Sequence, residues 1–317
     1  MLATSATPAY PNPWEFHAHP EVWLLMLFLI GAYVYLVKVI GPKAVPAGTR
    51  PVSRRQITYF AFGIGLLWFA SDWPVHDVGE QYLYSVHMFQ HMVFSYFAPP
   101  LLLMSIPTWM ARTLVGTGRT QRVMNWLTKP VIAGVAFNLV VMVTHIPVVV
   151  NASTQSGPLH YSLHLLLVTL ALLMWIPVVG PIAEWQMSPI GKCIYLFLMS
   201  VVPTVPAGWL VFAEGVVYKH YSQPVRLWGL SVQSDQQAAG AIMKLGGAAF
   251  LWAITIYLYF RRFAVNFDED NTYVRAKQMP EAEITGHDEK QLTYADVTKA
   301  FGQTDPALVE SEQAPGH

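Results

Sequence analysis

The sequence predicts an all-α, polytopic membrane protein: a seven-transmembrane-helix bundle with its N-terminus outside and its C-terminus in the cytoplasm. Three observations carry that expectation. Apolar residues make up 54% of the 317 and charged residues only 12%, a balance that favours a bilayer over water. Apolar runs reach the roughly 20 residues that a helix needs to cross the hydrocarbon core, and no segment alternates as barrel strands do. Lys and Arg gather in alternate connections, the pattern that orients membrane helices.

The first span is expected at about 22–40, long enough to remain as an uncleaved anchor, with no basic segment before it. Lys38, Lys43, Arg50, Arg54 and Arg55 follow it on the inner side. The second span, about 57–75, leads into an outer connection through Asp72, His76, Asp77 and Glu80 that has no Lys or Arg. Arg112, Arg119, Arg122 and Lys129 follow the third span, about 83–105. The fourth and fifth, about 130–150 and 158–180, enclose the uncharged stretch 151–159, and Lys192 follows the fifth. The sixth is expected at about 190–213, and the seventh, about 236–260, ends at Arg261 and Arg262. Pro99-Pro100 and Pro203 with Pro206 lack the amide N–H that a helix uses, which predicts bends there. The chain therefore divides into an extracytoplasmic segment, 1–21, a membrane domain, 22–263, and a flexible cytoplasmic tail, 264–317. That tail is acid-rich, with Asp268, Glu269, Asp270, Glu281, Glu283, Asp288 and Glu289, and too poor in apolar residues to pack alone.

The formal net charge is zero, so composition gives no argument for nucleic acid. The single cysteine, Cys193, rules out an internal disulfide, a CxxC motif or a thiolate cluster within one chain. No Gly-rich phosphate loop or nucleophile elbow is present, and a non-enzymatic role is expected.

The candidate chemistry lies in histidines. His87 and His91, and His160 and His164, are pairs at i and i+4, which puts both members on one helix face about 5–6 Å apart at Cβ. With spans 3 and 5 running inward and span 4 outward, both pairs and His145 fall in one layer near the outer leaflet. Polar side chains at that depth are costly, so five imidazoles together point to metal ligation or proton handling. Without a nearby thiolate and with few carboxylates, imidazoles aided by a thioether such as Met88, Met92 or Met243 suit copper better than calcium, magnesium or an iron–sulfur cluster; zinc stays open. At the start of span 7, Asp235 suits the N-cap of its own helix or a carboxylate that orients a ligating imidazole. Gln236 is its neighbour, and Lys244, two turns further in, has to pair, snorkel or face a cavity. Asp72, His76 and Asp77 lie where an arriving cation would first be met, although a solvated loop explains them equally well. His17 and His19 face the same compartment from a flexible segment and are not expected to be permanent ligands.

These segments resemble the seven-helix CtaG family of cytochrome c oxidase assembly factors over roughly residues 20–260. The resemblance is carried by His87-Met88-Phe89-Gln90-His91-Met92 with Ala98-Pro99-Pro100-Leu101, by His145-Ile146-Pro147, by His160 and His164, and by Asp235-Gln236 with Gly240 and Met243. It departs at Leu163, where an acidic residue is expected, and at Lys244, where an aromatic is common. The resemblance implies a multi-pass protein of the bacterial cytoplasmic membrane that helps build a haem–copper oxidase. Its partners would be oxidase subunits, lipid and an extracytoplasmic copper donor. Carried over, His87, His91, His145, His160, His164, Asp235 and Met243 handle the metal. The alternatives are a b-type subunit with haem between facing histidines, and an accessory oxidase subunit or metal transporter.

Overall fold

The computed structural model describes residues 12–223 and 225–278, with side chains as far as residue 264. Among the described residues every regular element is helical. Helix α1 spans Pro20–Ala44, α2 Arg54–Ser71, α3 Val75–Gln81, α4 Tyr84–Ser105, α5 Thr108–Val115 and α6 Arg119–Leu127. Helix α7 spans Pro130–Thr144, α8 Pro147–Thr154, α9 Gly157–Val179, α10 Pro189–Val211 and α11 Val232–Ala264, whose last part is helical on to Gln278.

Proline sets many of the starts. Pro20, Pro130, Pro147, Pro158 and Pro189 occupy the first or second helical position, where a missing N–H costs nothing. Ser53 and Gln56 form a reciprocal capping box at the start of α2. Pro147 corrects one expectation: the fourth span does not run to residue 150 but ends at Thr144, and the chain restarts as the short α8.

The two proline sites disturb their helices in different ways. Helix α4 passes Pro99-Pro100 by a π-turn over Val93–Phe97. Pro99 has no N–H for the Ser95 carbonyl, and the Trp175 indole of α9 donates to it at 2.9 Å. In α10 the helix breaks between Val201 and Thr204, around Pro203. Lys244 on α11 reaches that break and donates to the Ser200 carbonyl at 3.3 Å and to the Thr204 hydroxyl.

Four helices, α1, α9, α10 and α11, are long and apolar enough to cross a membrane, or six if α4 with α5 and α6 with α7 are each one bent span. The bends measure 100° and 69°. The remaining expected span, the second, corresponds to α2, an 18-residue helix whose first three positions are Arg54, Arg55 and Gln56. The chain falls into two units, 1–261 and 262–317. The first eleven residues of the expected N-terminal segment and residues 279–317 of the expected tail, with Glu281, Glu283, Asp288 and Glu289, lie outside the described residues.

The main apolar core has fully buried Trp175, Phe137, Met174, Leu196 and Leu210. Close approach of α10 to α11 depends on Gly240: a Cβ there would lie 2.8 Å from the Ala207 carbonyl oxygen and 2.9 Å from Leu210 Cβ. Gly240→Ala is expected to lower stability by about 1–3 kcal/mol, as overpacking does. Gly65→Ala, with nothing within 4 Å of the added carbon, is expected to be neutral or slightly stabilising. Thermal unfolding in detergent compares the two, and equal midpoints would contradict the packing argument.

Candidate metal centre

One end of the bundle is tied together by side chains that reach between distant segments. Helix α4 starts at Tyr84, and its first amides have no partner inside the helix. Asp235 of α11 supplies the acceptor. Its carboxylate takes hydrogen bonds from the Tyr84 amide at 2.7 Å, the Ser85 amide at 3.1 Å and the Ser85 hydroxyl at 2.5 Å. Asp235 is fully buried, and a carboxylate at a helix N-terminus is also favoured by the helix dipole. It is not the N-cap of its own helix, a place taken by Ser231, which accepts from the Ser234 amide at 3.0 Å.

The chain before α11 is fixed by Gln236. Its Oε1 accepts from the Val217 and Tyr218 amides at 2.9 and 3.2 Å, and its Nε2 donates to the Tyr218 carbonyl at 2.9 Å. That segment then reaches the histidines. Tyr218 donates to the His145 carbonyl at 2.8 Å and Tyr221 to the Gly79 carbonyl at 3.0 Å, while His220 Nε2 donates to the Glu80 carbonyl at 2.9 Å. Gly79 lets α3 lie against α4, since a Cβ there would sit 2.8 Å from Gln90 Oε1 and 3.1 Å from the His87 amide nitrogen.

This frame brings His87, His91 and His164 together. One ring nitrogen from each lies within 4.8 Å of the others. Ring centroids are 4.6 Å apart for His87 and His91, 5.4 Å for His87 and His164, and 5.3 Å for His91 and His164. His87 Nδ1, His91 Nε2 and His164 Nε2 are buried with no hydrogen-bond partner. An unpaired buried polar atom costs about 1–3 kcal/mol, so three around one point call for a ligand. The three histidines line a cavity of about 20 Å³, room for one water-sized sphere, together with His160, with Val150, Ser153 and Thr154 of α8, and with Leu163 and Thr144. Three imidazoles and no carboxylate are a donor set for a transition-metal cation.

A second group lies beside the first. His76, Glu80 and His160 also offer one ligand atom each within 4.8 Å. Burial alone would push the Glu80 carboxyl up; His76 beside it, with His160 and His220 nearby, outweighs that and holds it below the usual range. His145 stands at the edge of the array, its ring 5.8 Å from His91. Its Nδ1 donates to the Val141 carbonyl at 2.6 Å, and its Nε2 lies 3.3 Å from Met88 Sδ. Met243 is buried in the main apolar core. Lys244 is at the α10 break described above, bonded there to neutral oxygens.

Asp72 and Asp77 are engaged elsewhere. Asp72 accepts from the Trp23 and Trp68 indoles at 2.7 and 2.9 Å and from the Trp73 amide at 2.8 Å. Asp77 meets His19 Nε2 at 2.7 Å and His17 Nδ1 at 3.1 Å. Burial by itself would lower His19, but the Asp77 and Glu21 carboxylates raise it above the ordinary histidine value. Sequence reading left Glu80 without a role and expected little of His19. The signal for Glu80 was its i, i+4 spacing from His76, the same spacing as in the two histidine pairs.

The chain matches the family described as cytochrome c oxidase caa3 assembly factor over residues 31–264, a stretch that holds every residue of both triads. No curated protein and no solved structure matches it. Because Asp235 holds the start of the helix that carries two of the histidines, Asp235→Asn is expected to cost about 1.5–3 kcal/mol, the value of hydrogen bonds to a charged group. Ser231→Ala, which uncaps only α11, is expected to cost about 0.5–2 kcal/mol. Chemical unfolding in detergent reads both, and a wild-type midpoint for Asp235→Asn would mean that the carboxylate charge does not hold α4.

Proposed function

The chain belongs to the family of cytochrome c oxidase caa3 assembly factors, and from that premise we propose that it binds copper and delivers it to an oxidase subunit. The role is binding and transfer, not turnover. One observation carries the proposal: three buried imidazole nitrogens have no hydrogen-bond partner, and their residues, His87, His91 and His164, line one small cavity. Copper is the cargo that fits this donor set best, because copper centres are built from imidazole and the triad offers no hard oxygen ligand. The only thiol, Cys193, is bonded to the Thr255 carbonyl at 3.7 Å, away from the histidines in sequence and in role. His145 and Met88, in mutual contact beside His91, supply an imidazole and a thioether next to the triad for ligand exchange.

The same size argument favours an ion over haem. A cavity of about 20 Å³ between histidine rings 5.3–5.4 Å apart leaves no room for a macrocycle. For topology we keep seven spans in the bacterial cytoplasmic membrane, with α2 as the second, the N-terminus and histidine end outside, and the C-terminus inside. Supporting this, Arg112, Arg119, Arg122 and Lys129 cluster between α4 and α7, whereas the connection from α7 to α9 has no basic residue. Copper taken up at the outer face would then reach an oxidase subunit directly or from an extracytoplasmic donor.

Elemental analysis and a reduced-minus-oxidised spectrum of the detergent-purified protein test the cargo. Wild type is expected to hold copper and show no haem band, and His87→Ala with His91→Ala to hold less copper than wild type; a haem band, or copper content unchanged in that variant, would overturn the reading. Topology is tested by reporter fusion. Alkaline phosphatase joined after Ser156 is expected to be active and joined after Gln278 inactive, and the reverse pattern would invert the orientation.

A further inference from the structure

The second triad shares only His160 with the lining of the delivery cavity, yet it is built like a site of its own. His76 and His160 are both 2% exposed, and the Nε2 atom of each is buried without a hydrogen-bond partner. Glu80 brings the one carboxylate among the six residues of the two triads, its Oε2 3.3 Å from His76 Nε2 without the geometry of a hydrogen bond. The pairing of His76 and Glu80 at i, i+4 on α3 is locked in place by the contacts of Gly79 with α4 and by Tyr221 and His220 on the α3 carbonyls.

We propose that His76, Glu80 and His160 form a second cation site, a loading station for a divalent transition metal. Two imidazoles and a carboxylate are a common ligand set for such ions. The charge argument says why this station comes first. A dication leaving water loses its hydration at great cost in an apolar surround, and a carboxylate offsets part of that charge, whereas the neutral imidazoles of the deeper triad do not. Geometry then gives the path. His160 and His164 are successive on one face of α9 with ring centroids 4.3 Å apart, and His87 is 5.5 Å from His160. An ion held by His160 can take its next ligand before it releases the last. That transfer step rests on the delivery reading above, but the existence of the station does not.

The test counts copper per chain in the full-length, detergent-purified protein loaded with Cu²⁺ alone and then dialysed. Wild type, Glu80→Gln, His76→Asn, and His87→Ala with His91→Ala are compared, each as a monodisperse preparation. The proposal expects Glu80→Gln and His76→Asn each to bind one ion fewer than wild type, and the double alanine variant also one fewer, by losing the other site. His76→Asn decides the matter if Glu80→Gln does not fold. Copper content unchanged in both α3 variants overturns the station and leaves the deeper site standing. Copper unchanged in the double alanine variant but reduced in the α3 variants supports the station and overturns the deeper site. A wild type that holds one ion in place of two, with every variant losing that same ion, merges the triads into one centre and overturns the proposal, and no ion in wild type overturns both.

Discussion

Helix α4 begins inside the protein, where its first amides meet no water, and the buried Asp235 carboxylate gives them an acceptor. The rest of the histidine end follows from that contact. His87 and His91 lie one and two turns beyond the anchored N-terminus, so their separation from α9 is set by a charged hydrogen-bond group and not by apolar packing alone. Residues 84 and 235 are far apart in sequence, so the contact also closes the bundle by joining its third and last long apolar segments. A backbone end left unpaired in this surround would cost more than the whole stability contribution of an ordinary surface interaction.

Polar satisfaction elsewhere in the protein makes the histidine array stand out. The Ser95 carbonyl released by Pro99 is met by Trp175, the α10 break by Lys244, and Asp72 by two indoles and an amide. Among the described residues nine buried side-chain polar atoms have no partner; four are spread over Gln90, Asn138, Asn151 and Arg226, while five are imidazole nitrogens gathered in one place, on His76, His87, His91, His160 and His164. Desolvation of these imidazoles is a standing cost that packing could have removed with leucine, and the proposed cation would recover it. Stability is given up at this end in return for a site.

Much of this was legible in the sequence, and the parts that were not share a cause. The histidine pairs could be read because i, i+4 spacing is local and needs no knowledge of the fold. Membrane helices and their proline bends could be read for the same reason. Asp235 was legible as a polar residue at a helix start, but its partner was not: nothing near it in sequence indicates that it caps α4 in place of α11. Glu80 was hidden because α3 has only seven residues, too short to appear as a helix in a hydropathy reading. His145 shows the opposite limit. Its depth was read correctly as lying near the pairs, while the Val141 carbonyl and Met88 sulfur that engage its nitrogens depend on rotamer and packing.

In the proposed role, two triads side by side would also answer a physical difficulty of metal delivery. A site tight enough to take an ion from dilute solution holds it too firmly to give it up, and a loose site never fills. Splitting the task relaxes the conflict. A group with a carboxylate would stabilise the arriving charge, and a neighbouring group of neutral imidazoles would hold the same ion with less electrostatic energy and so with an easier release. Contacts of 4.3–5.5 Å between rings of the two groups mean that the ion need never be bare between them. Departure toward a partner would then require only that the partner's ligands replace three neutral donors one at a time. One wall of that cavity is α8, a short helix between α7 and α9 that lines it through Val150, Ser153 and Thr154.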